Sequence, residues 1–303
     1  MPFIFRAGVW KPRSSPHTFQ GAGEEGLAWL AEVKRLFSIP VATEVATPEH
    51  VEAALKAGID YLWIGARTSA NPIAVQEIAD AVDRFAARPG SPVGILIKNP
   101  VNQDAALWLG NIERLEKTGV PVIAVHRGCN HRPCWAMAHQ VRLARPDIPM
   151  LLDPSHMSGD AAKVPGLMEK TSELGLDGAM VEVHCCPEQA LSDVAQQIRP
   201  KELGKLGEPG ALGSIVNTEL NWLRAEIDEL DERLWETIAA RMDVSKRIGE
   251  WKKAHGVAPL QPERYQQIVD RIQKTDRYAD SIQTDFALRL YNLIHEESLK
   301  QQK

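Results

Sequence analysis

Short apolar runs rich in β-branched residues recur through the first two thirds of the chain, at 3–10, 41–46, 61–66, 93–97, 122–125, 150–152 and 179–183. Between them, apolar residues fall at helical spacing over 26–37, 48–57, 71–85, 104–117 and 163–174, and Thr47 and Asn71 stand where helix caps belong. Strand and helix alternating every ~20–35 residues is the pattern of a parallel sheet, either doubly wound or closed into a barrel. The polar residues decide between the two. Nearly every run ends in groups that can carry charge: Lys11 and Arg13, Glu44, Arg67, Lys98, His126 and Arg127, Asp153 and His156, Glu182 and His184. A barrel builds its site from the carboxyl ends of many strands, whereas an open sheet concentrates it at one switch point. The pattern therefore predicts an α/β fold, a (β/α)8 TIM-type barrel. Seven runs are present where about eight are needed, and the strand unaccounted for is expected at the amino end.

Residues 199–217 hold four glycines and two prolines, a composition that breaks regular structure. We read 1–200 as the barrel, 201–216 as a linker and 217–303 as a helical domain. In the last segment Leu220, Leu223, Ile227, Leu230, Leu234 and Ile238 step by three or four, with no proline before Pro259. That predicts one helix of roughly 37 residues, about 55 Å long, followed by shorter helices near 262–274 and 282–302. So small a domain leaves the stripe of so long a helix uncovered, which predicts an all-helical dimer.

Composition narrows the class. Of 303 residues, 44% are hydrophobic, enough for a large core, and 35 basic against 40 acidic side chains give no general affinity for nucleic acid. No apolar run reaches the ~20 residues of a membrane helix, and the first residues lack the form of a signal peptide. A cytoplasmic location is expected. Four cysteines, two of them adjacent, make no disulfide framework.

Five basic residues at separate strand ends (Lys11, Arg13, Arg67, Lys98 and Arg127) make an electropositive mouth on a slightly acidic domain, suited to small phosphates and carboxylates; the alternative is that they solvate loops. His156, Glu182 and Asp193 form a possible nitrogen and oxygen set for a divalent metal, with Asp153 or Asp193 as plain helix caps the alternative. At most one of Cys185 and Cys186 could join Glu182 if they lie on a strand, and buried inert thiols are the other reading. On the long helix Arg241 and Lys252 are 11 residues apart and share a face to within about 20°. Arg224 lies about 100° round the helix from Arg241 and so suits a partner's site better. Arg264, Ser298 and Gln302 would complete a pocket of cations and neutral donors, with no evident nucleophile or base, suited to a dianion and a polarised transition state. Salt-bridged, solvated helices are the alternative.

The motifs Phe-Arg-Ala-Gly-Val-Trp-Lys-Pro-Arg-Ser-Ser-Pro (5–16), Ile-Gly-Ala-Arg-Thr (64–68), Lys-Asn-Pro (98–100), His-Arg-Gly (126–128), Asp-Pro-Ser-His (153–156) and Val-Glu-Val-His to Leu-Ser-Asp (181–193) resemble those of the 3-deoxy-D-arabino-heptulosonate 7-phosphate (DAHP) synthase family. The likeness implies condensation of phosphoenolpyruvate with erythrose 4-phosphate on a metal-dependent barrel. By resemblance Arg6, Lys11, Arg67, Lys98 and Arg127 hold phosphoenolpyruvate, with Lys11 also near the reacting carbon. Arg13 helps to bind the aldose phosphate. His156, Glu182 and Asp193 hold a divalent ion (Mn2+, Co2+, Fe2+ or Zn2+). The family's first strand ends in Gly-Pro-Cys, whose cysteine is a fourth ligand; that place falls before Met1. The stretch 129–135 is shorter than the family's loop.

Residues 223–232, 240–242, 248–252, 262–264 and 297–302 are similar to the all-helical chorismate mutase family. The likeness implies that Arg224 of the other subunit, Arg241 and Arg264 engage chorismate's carboxylates and neighbouring groups. Lys252 and Gln302 donate to the ether oxygen, and Ser298 is a secondary contact, without any cofactor. Gln261 stands where the family often has an acid for the substrate hydroxyl. The function expected is a bifunctional shikimate-pathway enzyme making DAHP and converting chorismate to prephenate, as a homodimer or larger assembly with no nucleic-acid or membrane partner. The alternative is a chorismate mutase whose barrel is a non-catalytic regulatory remnant.

Overall fold

The computed structural model describes residues 3–12, 15, 17–86, 93–206, 218–275 and 280–302. Among these, strands and helices alternate as β1 (Phe5–Arg6), α1 (Glu25–Phe37), β2 (Val41–Val45), α2 (Pro48–Lys56), β3 (Tyr61–Ile64), α3 (Pro72–Ala86), β4 (Gly94–Lys98), α4 (Ala105–Glu116), β5 (Val122–His126), α5 (Trp135–Ala144), β6 (Met150–Leu152), α6 (Pro154–Ser158), α7 (Val164–Glu173) and β7 (Gly178–Ala179). There follow α8 (Pro200–Leu203), α9 (Thr218–Ala254), α10 (Pro262–Gln273) and α11 (Thr284–Gln301).

The strands form one all-parallel sheet in the order β1 to β7, each paired with its neighbours in sequence, the arrangement of a barrel wall. Thr47 caps α2 by accepting from His50 N at 3.4 Å, and Asn71 Oδ1 accepts from Ile73 N at 3.0 Å to start α3. Inner strands match their apolar runs to within a residue or two. The outer two are shorter than the runs suggest: β1 stops at Arg6 and β7 at Ala179. Each has a ladder partner on one side only among the described residues, so fewer hydrogen bonds hold it extended. Beyond β7 the direction is kept only by a parallel bridge, Val183 to Ile198.

The core is the layer between sheet and helices, with Leu62, Ile64, Ile78, Ile95, Ile97, Trp108, Ile112 and Leu152 all fully buried. Gly65 has a local purpose, because a Cβ there would lie 2.0 Å from Glu44 Oε1; its absence makes room for that carboxylate at the strand ends.

By contacts the chain divides into residues 1–226 and 227–303, so the first nine residues of α9 belong to the barrel unit. The reason is Trp222, only 1% exposed. Its ring stacks on His139 of α5 at 5.4 Å and meets Trp135 edge-on at 6.0 Å. Glu226 accepts from His139 Nδ1 at 2.7 Å, and Asn221 donates to Glu173 O at 3.0 Å. Trp222 lies off the apolar stripe read from the sequence. The stripe itself is exposed within this one chain at Leu223, Ile227, Leu230 and Leu234. Trp222→Ala is expected to destabilise the barrel unit by about 3–5 kcal/mol, the range for deleting a buried large aromatic. Urea unfolding followed by far-ultraviolet circular dichroism measures this; an unchanged midpoint contradicts the anchoring role.

The second unit contains the rest of α9 with α10 and α11. At Gly249 α9 closely approaches the end of α11, since a Cβ on it would lie 2.5 Å from Gln302 Cα. Among the described residues no helix is long and apolar enough to cross a membrane.

Candidate functional site

The strand ends of the barrel unit converge on one cavity of about 310 Å³, lined by Arg6, Lys11, Glu44, Trp63, Arg67, Lys98, Arg127, His156, Glu182 and Asp193 among others. All the barrel residues expected to hold substrate or metal are in that lining except Arg13, which lies outside the described residues, whereas His126, Asp153 and His184, also at strand ends in the sequence, are not. β1 carries Arg6 and, on the turn beyond it, Lys11. Arg6 donates to Glu182 Oε1 at 3.0 Å and lies over the Trp63 ring at 5.1 Å, while Lys11 Nζ pairs with Ser192 Oγ at 2.5 Å and Asp193 at 3.2 Å. β1 and the turn beyond it are thus tied by ion pairs to the segment that follows β7. Arg67, after β3, donates to Pro12 O at 3.2 Å.

Lys98 closes β4 with its amine almost wholly buried. It pairs with Asp153 Oδ2 at 2.7 Å. Asp153 is fully buried and caps α6 through His156 N at 3.0 Å, so the plain cap reading holds, but the same carboxylate also takes His156 Nδ1 at 3.0 Å. Burial works against the charge on Asp153. His156 and Lys98 beside it outweigh that and hold its carboxyl well below the usual carboxylate range. With Nδ1 engaged, His156 turns Nε2 toward Glu182 Oε1, 3.9 Å away. Burial pushes the His156 ring below the ordinary histidine value, against the pull of Asp153, which favours the neutral form that binds metals. Glu182 is opposed by burial in the same way, and Arg6 and His156 keep it ionised.

One ligand atom from each of His156, Glu182 and Asp193 lies within 4.8 Å of the others. Two bonds of ~2.1 Å to a common ion span up to about 4.2 Å, so a side-chain adjustment of about half an ångström brings the three together. A carboxylate behind the ring nitrogen that faces away from the ligand position is the usual support of a metal-binding histidine. Donor set, spacing and the Asp153 support all fit a divalent ion of intermediate hardness. Cys185 and Cys186 are outside this cluster, and Cys185 is exposed rather than buried. The reading of buried thiols fails because the chain at this point is a surface bend, not a strand with one covered face.

Several supporting residues carried no role in the sequence reading. Asn99, fully buried, accepts from Arg127 N at 2.7 Å and donates to Gly128 O at 3.0 Å, so the Lys-Asn-Pro turn sets the loop that presents Arg127. Ser155 Oγ accepts from Glu182 N at 3.0 Å, and Gln196 donates to Glu182 Oε2 at 3.2 Å. No periodicity reports such residues; a buried amide beside a motif lysine is the one available signal.

His126, next to Arg127, is wholly buried, with Nε2 2.6 Å from Pro133 O. Burial lowers its pKa from 6.5 to about 4. Between those values the unfolded chain binds a proton that the folded chain refuses. Stability is therefore complete above the unfolded pKa and falls as pH drops from about 6.5 to about 4, by about 3 kcal/mol from this group. Urea-unfolding free energies at pH 7 and pH 4 should fall less in His126→Gln than in the native chain, by about that amount; equal falls contradict it.

In the helical unit the structure brings four of the expected residues into two pairs. Arg241 donates to Ser298 Oγ, and also to Ile294 O at 3.4 Å; Lys252 Nζ donates to Gln302 Oε1 at 3.0 Å and Pro259 O at 2.6 Å. Ser298 is buried, and Gly249 is what lets Gln302 reach Lys252. Both cations act on His295: burial, then Arg241 and Lys252, lower its pKa, so its ring adds no positive charge to the cluster at neutral pH. Arg264 is exposed and donates to Gln267 at 3.3 Å; Gln261 is exposed and its side chain does not cap α10. Arg224 is exposed on the part of α9 that belongs to the barrel unit.

Comparison with known proteins agrees with this division. Residues 1–211 match the DAHP synthetase I family and residues 223–303 match chorismate mutase type II. A phospho-2-dehydro-3-deoxyheptonate aldolase from Thermotoga maritima is 29% identical over 229 residues, covering 71% of this chain and 64% of its own length. A crystal structure of the DAHP synthase from the same organism has a TM-score of 0.57 at 27% identity, covering 67% of this chain and 58% of that one. This chain thus spans less than two thirds of either. A 4-amino-4-deoxychorismate mutase from Streptomyces venezuelae is 40% identical over 78 residues, 25% of this chain and 73% of that protein. With the synthetase match covering well over half of its length, the chain belongs to the DAHP synthetase I family and carries a chorismate mutase type II domain at its carboxyl end.

Proposed function

We propose that the barrel unit condenses phosphoenolpyruvate with erythrose 4-phosphate to DAHP, and that the helical unit rearranges chorismate to prephenate. The observation that carries the first part is the convergence of Arg6, Lys11, Arg67, Lys98 and Arg127 with His156, Glu182 and Asp193 on one cavity. Guanidinium forks bind phosphate and carboxylate bidentately, and the four strand-end cations with Arg6 match a ligand that carries both groups. Arg13 is assigned to the aldose phosphate. His156, Glu182 and Asp193 would hold a divalent ion (Mn2+, Co2+, Fe2+ or Zn2+), which would supply Lewis-acid polarisation of the aldehyde. The chain's own residues do the rest. Asp153 fixes the His156 tautomer, Lys98 neutralises Asp153, Asn99 orients the Arg127 loop, and Lys11 Nζ stands beside Asp193, where it can donate a proton to an oxygen of the reacting pair.

In the helical unit Lys252 and Gln302 are assigned to the ether oxygen, Arg241 and Arg264 to the carboxylates, Ser298 and Gln261 to secondary contacts, and Arg224 to the site of a second subunit. Fixed donors and the compact bound conformer suffice for this rearrangement, without a cofactor. The exposed α9 stripe supports a homodimer or larger assembly, and four free thiols suit a reducing cytoplasm. The test of the barrel assignment is phosphate release from phosphoenolpyruvate by the full chain with Mn2+. Release that requires erythrose 4-phosphate, with a raised KM for phosphoenolpyruvate in Arg127→Ala, is the expected result. Release indifferent to the aldose, or none with any divalent ion, overturns it.

A further inference from the structure

Between Glu182 and Asp193 the chain makes a surface loop that contains His184, Cys185 and Cys186 and then one turn of tight helix at Pro187–Gln189. The catalytic reading makes no use of the cysteines. Adjacent side chains on a strand point apart, but β7 ends at Ala179, and residues 185 and 186 occupy a bend. In a bend the strand alternation that would part the two thiols does not apply, and they remain on neighbouring residues of the same surface loop. Both are free, Cys185 exposed and Cys186 half-buried. His184 Nδ1 accepts from Cys186 N at 3.0 Å, which commits that nitrogen to the backbone of the loop.

We propose that Cys185 and Cys186 form a chelating site for soft, thiophilic Lewis acids, the class that includes trivalent arsenicals, separate from the nitrogen and oxygen set of His156, Glu182 and Asp193. Thiolates select soft centres, while imidazole and carboxylate suit harder ions, so the two sets sort ligands by softness. Two sulfurs on neighbouring residues bind the second bond intramolecularly, at high effective concentration, which is what separates a chelate from two single thiols. A disulfide is the less favoured use of the same pair. Neighbouring Cα atoms are about 3.8 Å apart, below the ~4.4–6.8 Å of ordinary disulfides, so the bond would be strained and readily reduced. Capture of a bent trivalent centre between the sulfurs has no such requirement.

Phenylarsine oxide is the probe. Each thiol loses its proton, two As–S bonds form, the arsenic oxygen leaves with both protons as water, and no oxidation state changes. Intact-mass spectrometry of the full chain after one equivalent of probe is expected to find one adduct per chain that survives excess monothiol and is removed by a dithiol. Cys185→Ser and Cys186→Ser should each lose the monothiol-resistant adduct, and a Cys129→Ala/Cys134→Ala chain should keep it. A native chain with no such adduct, or a Cys185→Ser chain that retains it, overturns the site. The mass readout is independent of synthase turnover, so failure of the catalytic reading leaves this test intact.

Discussion

Lys252→Ala is expected to lower the rate of chorismate rearrangement by about 10²–10³-fold, the usual loss when one preorganised donor to a developing oxyanion is removed. The role proposed for Lys252 rests on three features: its position on the same face of α9 as Arg241, Gln302 at 3.0 Å, and Gly249 one turn earlier, where a Cβ would meet Gln302. Stopped-flow or steady-state loss of chorismate absorbance checks it. The expected loss is in kcat, since the residues proposed to hold the carboxylates, Arg241 and Arg264, are unchanged. A Lys252→Ala chain that keeps the native rate removes the assignment of the helical site. Gly249→Ala tests the same geometry from the other side: its Cβ would meet Gln302 Cα at 2.5 Å, so it should displace Gln302 and slow the reaction without changing any charge.

His156→Ala should weaken Mn2+ binding by more than about 100-fold, and Asp153→Asn by about 10–100-fold, because in the proposed site the first removes a ligand and the second only its support. Asp153 touches no cavity ligand position; it acts through His156 Nδ1 and Lys98. The order of the two losses is therefore the informative quantity. Titration followed by the electron paramagnetic resonance signal of free Mn2+ measures both. Equal affinities in the native and His156→Ala chains would exclude the nitrogen ligand, and a larger loss in Asp153→Asn than in His156→Ala would reverse the roles given to the two side chains. Asp153→Asn also leaves the Lys98 amine buried without its carboxylate, so a loss of stability accompanies the loss of affinity.

The barrel wall was legible because its inner strands are buried on both faces and so read as continuous apolar runs at regular spacing. β1 and β7 were legible as runs but not in length, since strand length there depends on a neighbour that the run itself does not encode. Helix α5 is not marked by helical period in the sequence: apolar Leu143 and Ala144 are exposed while polar His139 is buried, so residue polarity does not follow the two sides of the helix. The charged ring was visible because cations at successive strand ends are rare by chance, and its motifs named its family. The groups behind the ring were not visible. Asn99, Ser155 and Gln196 act through hydrogen bonds across the barrel, which have no signature along the chain. On α9 the stripe at Leu220, Leu223 and Ile227 was read correctly as apolar, yet it is Trp222 and Ala225, off that stripe, that are buried against α5 and its neighbours. Amphipathic period tells which side of a helix seeks cover; it does not tell which of two surfaces receives it.

On the proposed functions, one chain holds two separate anion sites, one that works through a divalent ion and one that works through fixed cations alone. Both reactions, assayed on one preparation of the full chain before and after treatment with a chelator, test it most directly. The account predicts that chelation abolishes DAHP formation, that added Mn2+ restores it, and that prephenate formation is the same throughout. Loss of both reactions together, or DAHP formation indifferent to the chelator, would contradict it.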